Sequence, residues 1–224
     1  ARALTGGPSE LAEKARELNR GGRYQQVLEL TEDEELDGFA HVERGHALAG
    51  LGRLEESMQH YRRALAMESS LADEQVIFER ARAVVGSPQV EADLTAIELL
   101  VRYRRDPKAR SRLLMLAGES KKLALRQRAR GLADELGLRG DVNLVRSYAL
   151  DLVQERKCED RRKALLVLEE LDDVRALPAI EKARYRGTGG VLGIGEKNAN
   201  RCLKQDAERI ADKLEAREEL IEIE

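Results

Sequence analysis

Residues 38–71 read GFAHVERGHALAGLGRLEESMQHYRRALAMESSL, and this stretch decides how the rest of the chain is read. Two apolar-periodic segments flank a short break at Gly50-Leu51-Gly52-Arg53. The first gathers Phe39, Val42 and Gly45 to Leu48 on one face, and the second gathers Leu54, Met58, Tyr61 and Leu65. Spacing of this kind is that of an amphipathic helix, and a short break between two such helices makes them antiparallel neighbours. Gly45 and Ala49 thin one helix and Ser57 and Ala64 thin the other, so the two backbones are able to close up. Gly52 suits a turn that needs positive φ.

On Gly45, Leu48, Gly52, Leu54, Ser57, Tyr61 and Ala64 the stretch resembles a tetratricopeptide (TPR) repeat, whose period is about 34 residues. It departs at His41, where that family usually has a large aromatic, and at Ser69, where it usually has proline. Upstream, Ser9 reads as a helix N-cap after the Thr5-to-Pro8 linker, and Leu11, Ala15 and Leu18 form a stripe. Ala15, Leu18, Gly22 and Tyr24 precede Gly45, Leu48, Gly52 and Leu54 by thirty residues each. Residues 1–35 are therefore read as a degenerate first repeat with a clipped second helix. A further helix is expected over 72–85, opening a third repeat, with Gly86-Ser87-Pro88 as the boundary.

Beyond that boundary helices are expected near 89–105, 107–118, 121–137, 141–156, 159–172, 175–186 and 198–217. Pro107 and Asp141 mark starts, and Gly137 and Gly140 mark an end. In Arg161–Arg186 one helix carries Ala164, Leu165, Leu168 and Leu171, an Asp172-Asp173 turn follows, and a second carries Val174, Leu177, Ile180 and Ala183. This unit resembles a short bacterial HEAT repeat, and Arg128–Val153 repeats its plan. The resemblances together imply an all-α helical-repeat superhelix. It would hold TPR-like repeats over 1–86, a HEAT-like α-solenoid over 89–217 with a Gly-rich insertion at 187–195, and a frayed tail at 218–224.

Composition fits many thin helices. Charged residues make up 36% and aromatic ones 3%, so the core has to come from Leu, Val, Ile and Ala. Charge is unevenly spread. Residues 1–98 hold 11 Lys/Arg against 19 Asp/Glu, a net −8; residues 99–130 hold 11 against 2, a net +9. No apolar run approaches the ~18 residues of a membrane span, and no signal peptide is visible. Cys158 and Cys202 form no C-x-x-C pair and lie far from histidine in sequence, so two buried thiols in a reducing, cytoplasmic compartment are expected. The chain starts at Ala1 without methionine, and is expected to be a piece trimmed from a longer protein.

Chemical motifs are sparse. The stretch Gly187-Thr-Gly-Gly-Val-Leu-Gly-Ile-Gly195 suggests a phosphate loop, but Gly195-Glu196-Lys197-Asn198 replaces the Gly-Lys-Ser/Thr such a loop needs. A mobile inter-repeat insertion is expected there. His41 and His46 are five residues apart, not the four that place two ligands on one helix face. No nucleophile–base pairing emerges, and no catalytic residue, metal or cofactor is expected. Short HEAT repeats also occur in bilin lyases, but no residues here would carry that chemistry.

The TPR resemblance implies a concave groove, lined by Arg16, Asn19 and Arg20 of the first repeat, Phe39, Val42 and His46 of the second, and Arg80 of the third. It implies a non-catalytic scaffold that binds a protein or peptide partner. A second reading is a regulatory or targeting tail: the repeats, the Gly-rich stretch and the Cys202 helix look similar to C-terminal regions of some bacterial serine/threonine kinases, although no kinase motif is present. A third reading is nucleic-acid binding through Arg102, Arg104, Arg105, Lys108, Arg110, Arg112, Lys121, Lys122, Arg126, Arg128 and Arg130. Only Tyr103 accompanies them as a stacking aromatic.

Overall fold

The computed structural model describes residues 7–32, 34–188 and 197–223. Among them the chain is all-α, with twelve α-helices packed in sequential pairs. Residues 189–196, most of the Gly-rich stretch, and Glu224 of the tail lie outside the described residues. The chain divides into two compact units, 1–113 and 114–224.

The first unit holds α1 (Glu10–Arg20), α2 (Tyr24–Leu30), α3 (Gly38–Gly50), α4 (Leu54–Met67), α5 (Gln75–Val84) and α6 (Val90–Arg104). Ser9 caps α1, its Oγ accepting from the Ala12 N–H at 3.2 Å. Asp37 caps α3 through the Ala40 N–H at 2.6 Å and also accepts the Ser9 N–H at 3.1 Å, so one carboxylate ties two helix starts together.

The turns after α1 and α3 are built alike. The Gly22 and Gly52 N–H groups each reach the carbonyl three residues back at 3.0 Å, and Arg23 and Arg53 each reach five back at 2.9 Å. Both glycines have positive φ, +68° and +75°, as this helix ending requires. The contact between α3 and α4 is set by Gly45: a Cβ added there would lie 2.6 Å from Cε1 of Tyr61. Its carbonyl accepts the Ser57 hydroxyl at 2.8 Å.

The helix expected over 72–85 starts at Gln75, because a 3₁₀ turn over Ser69–Asp73 takes up the preceding residues. The Gly86-Ser87-Pro88 turn, where the sequence suggests a boundary, lies inside this unit. Val84 of α5 and Ala92, Ala96, Leu99 and Leu100 of α6 share one buried cluster with Met58, Tyr61 and Leu65 of α4, so burial continues across the turn. Helix α7 (Pro107–Glu119) contains the point where the units divide.

The second unit holds α8 (Leu123–Glu135), α9 (Leu144–Gln154), α10 (Cys158–Leu171), α11 (Leu177–Ala183) and α12 (Lys204–Ile223). Leu152, Leu165, Leu168, Ile180, Ala207, Ile210 and Leu214 form its core. Beside that core lies a buried ionic cluster. The Asp151 carboxylate accepts Arg126 Nε at 2.8 Å and Arg130 Nη2 at 2.7 Å. Arg126 is 0% exposed, and its guanidinium also donates to Gln154 Oε1 at 2.9 Å and to the Ser120 carbonyl. Arg130 donates to Ser147 Oγ at 2.6 Å and lies 4.0 Å over the Tyr148 ring.

Three expectations are corrected here. The last helix begins at Lys204 and not at Asn198, because Asn198 and Asn200 turn their amides onto the end of α11. Asn198 Nδ2 donates to the Arg184 carbonyl at 3.0 Å and Asn200 Nδ2 to the Ala183 carbonyl at 2.9 Å, a use of asparagine that competes with helix formation. Residues 187–188 and 197–198 form a two-residue antiparallel pair across the Gly-rich stretch. At the other end α12 continues to Ile223, past the expected limit of 217.

The third correction concerns the cysteines, which are joined in a disulfide, with Cα atoms 6.5 Å apart. Cys158 at the start of α10 is half-buried, and Cys202 in the turn before α12 is exposed. Such bonds persist in oxidising compartments, so the reducing-compartment expectation loses the support of two separate thiols. No helix among the described residues is long and apolar enough to cross a membrane.

Two stability outcomes follow. Asp151→Ala leaves two guanidiniums buried without their shared carboxylate and is expected to cost about 3–5 kcal/mol in chemical denaturation; a loss below ~1 kcal/mol would refute the account of the cluster. The disulfide closes a loop with a sequence separation of 44. Cys158→Ser is therefore expected to lower stability by about 2–4 kcal/mol in oxidising buffer and to change nothing under reductant.

Candidate functional site

Helices α1, α3 and α5 enclose an open cleft of about 450 Å³ in the first unit. Arg16, Asn19 and Arg20 line it from α1, Val42, Glu43 and His46 from α3, and Val76 and Arg80 from α5; Tyr24, Leu71 and Glu74 complete it. Six of the seven residues expected at a groove therefore meet in one place. Phe39 does not. It packs against the buried cluster of α4, α5 and α6.

The residue that organises the cleft is Glu43, which sequence reasoning passed over. The residue is 4% exposed. Oε1 accepts Arg16 Nε at 2.8 Å, Oε2 accepts Asn19 Nδ2 at 2.9 Å, and the Glu43 carbonyl accepts the same amide at 2.8 Å. A buried carboxylate is tolerable only when paired and hydrogen-bonded, and α1 supplies both donors. A signal was present: Glu43 shares a helix face with Ala40 and Ala47, both buried. Arg16 is thereby committed to Glu43. Arg20 and Arg80 make no ion pair among the described residues, so the cleft keeps a cationic surplus.

His46 sits on the floor, its Nδ1 2.6 Å from Tyr61 Oη. Burial holds its pKa down at about 4, with Arg80 and Arg16 acting in the same direction against Glu43. Burial also pushes the Tyr61 phenol up. At neutral pH both are uncharged. A neutral imidazole and a neutral phenol share this one hydrogen bond. His41 and His60 form a separate pair between α3 and α4, with Nδ1 atoms 2.8 Å apart. Burial lowers His60 to about 4, and the neighbouring His41 acts the same way; burial lowers His41 too. Among the described residues no group of three or more His, Cys, Asp or Glu side chains is placed to hold a metal.

Some of the basic residues of 102–130 are occupied internally. Arg112 forks onto the buried Asp93, with contacts of 3.1, 3.1 and 2.6 Å. Arg104 lies 4.2 Å over the Phe78 ring, Arg102 meets Glu98 at 3.3 Å, and Arg105 takes a left-handed φ of +49° at the end of α6. Arg126 and Arg130 are buried on Asp151, out of reach of a phosphate backbone. Arg110 and Arg128 also have interactions of their own. Lys108, Lys121 and Lys122 are exposed. Arg104, Arg112, Arg126 and Arg130 are thus spent on structure, while Arg102, Arg105, Lys108, Lys121, Lys122 and Arg128 are exposed.

Comparison with protein-family models, with curated proteins and with solved structures finds no match for this chain.

The histidines set a pH dependence. A buried neutral histidine whose folded pKa lies below its unfolded value of about 6.5 contributes stability that is complete above 6.5 and is lost as pH falls toward 4. Thermal unfolding of the full chain is expected to show a Tm that declines over this window. The His46→Gln, His60→Gln double variant should decline less steeply; parallel curves would contradict the assignment.

Proposed function

We propose that the chain is a non-catalytic binding protein whose first unit takes a segment of another protein in the cleft between α1, α3 and α5. The observation that carries this reading is the convergence there of Arg16, Asn19, Arg20, Val42, His46 and Arg80 from three helices that are far apart in sequence. The like-built turns at Gly22 and Gly52, and the Gly45–Tyr61 contact, support reading the helix pairs of this unit as TPR-like. By the same reasoning the pairs of the second unit are read as HEAT-like. Stacked helix pairs of this sort act through concave binding surfaces.

The lining suggests the chemistry of the segment. Arg20 and Arg80 favour a carboxylate. Val42, Leu71, Val76 and Tyr24 favour an apolar side chain beside it. The His46 imidazole and the Asn19 Oδ1 add polar contacts that fix register rather than strength. The lining holds three arginines against Glu43 and Glu74, and this positive excess also steers an acidic segment toward the cleft.

Selection of peptides from a displayed library on the immobilised chain tests this. Recovered peptides are expected to be enriched in Asp/Glu next to an aliphatic residue. Their affinity should fall about tenfold or more for the Arg20→Glu, Arg80→Glu variant, whose substitutions lie outside the buried core. Peptides that bind this variant equally well would place the site elsewhere, and a selection with no enrichment would refute the reading.

A further inference from the structure

The second unit carries a groove of its own, unconnected with the reasoning about the cleft. It measures about 390 Å³ and runs between α9 and α11. Val145, Ala149, Leu150 and Val153 form one wall along α9, and Pro178 and Ala179 form the other. Val153 is 58% exposed, high for a branched aliphatic side chain beside other apolar residues.

The charge around the groove has one sign. Arg146, Arg175 and Lys182 line it, and no carboxylate does. Arg175 is forked onto Asp173 at 2.9 and 3.0 Å and counts as neutral. Arg146 and Lys182 make no ion pair among the described residues, so two cations flank an apolar floor without a counter-charge. They stand on opposite walls, Arg146 on α9 and Lys182 on α11.

The length of the floor selects the shape of the occupant. Val145 to Val153 on a helix spans about 12 Å, which is a little over two helical turns. A groove between two helices accepts the apolar stripe of a third at i, i+3, i+4 and i+7. We propose that the α9/α11 groove is a docking site for an acidic amphipathic helix of a partner protein, with aliphatic residues seated on the valines and leucine and carboxylates facing Arg146 and Lys182.

The probes are two labelled peptides of about twelve residues. Both carry leucines at i, i+3, i+4 and i+7; one has glutamates flanking the stripe and the other has lysines. Each is titrated against the full chain by fluorescence anisotropy, with methyl NMR shifts recorded in parallel. The glutamate peptide is expected to bind at least about tenfold more tightly than the lysine peptide and to shift the Val145, Leu150 and Val153 methyls. Ala149→Glu should abolish that binding by placing a carboxylate on the floor. The Arg146→Glu, Lys182→Glu variant should weaken the glutamate peptide and strengthen the lysine peptide, each by about tenfold. Arg20→Glu with Arg80→Glu in the first unit should change neither affinity, which separates this proposal from the cleft. Equal affinity for the two peptides, no binding of either, or shifts confined to other methyls would overturn it. So would self-association of the chain that Ala149→Glu abolishes, because a second copy would then be the occupant.

Discussion

A core nearly free of large aromatics gains its buried area from close backbone approach, and the contact of Tyr61 with Gly45 is where this chain meets that requirement most directly. The ring occupies the space that any side chain at position 45 would need. It also reaches His46 on the next residue, so one tyrosine sets the distance between α3 and α4 and fixes the imidazole in the cleft. Structure and candidate site therefore share a part. The pairing cannot loosen without moving a residue that lines the cleft.

A second constraint is electrostatic. Three carboxylates are taken out of water: Glu43, Asp93 and Asp151. Each meets arginine: Glu43 takes a single bond from Arg16 with Asn19 on its other oxygen, while Asp93 with Arg112, and Asp151 with Arg126 and Arg130, are multi-point contacts. Planar guanidinium suits this task because its donors match a carboxylate in a fixed fork. Replacing such clusters with apolar residues can be neutral, but removing one partner leaves a stranded charge. Four of the chain's 29 arginines are absorbed in this way.

That absorption explains what was legible in the sequence and what was not. The turns at Gly22 and Gly52 were legible because a helix ending in positive φ is a local requirement with a local solution. The helices from α6 to α10 were legible for the same reason, within a few residues at their ends. The fate of Arg126 was not, because its partner Asp151 lies 25 residues away and only the packing of α8 on α9 brings them together. The Cys158–Cys202 bond was hidden in the same way, with Asn198 and Asn200 setting the turn that precedes the second cysteine. Helical phase brings six of the expected residues to one cleft. Phe39 packs elsewhere because phase alone does not say which neighbour a helix face meets, and Glu43 was not singled out because a buried acid looks like a solvated one until its donors are known.

The same reasoning gives weight to cations that are left over. A protein that pairs Arg16, Arg112, Arg126 and Arg130 so completely has no shortage of carboxylates with which to pair others. Among the described residues Arg20 and Arg80 at the cleft, and Arg146 and Lys182 at the α9/α11 groove, make no ion pair and stand beside apolar surface. An uncompensated cation next to an apolar floor is poorly served by water on one side and by hydrocarbon on the other. A partner that brings a carboxylate and an aliphatic side chain together relieves both conditions at once, whereas a purely acidic or a purely apolar one relieves only half. Under the proposed readings, selectivity for acidic amphipathic segments would come from the pairing of charge with apolar surface, which a run of basic residues counted along the sequence does not capture.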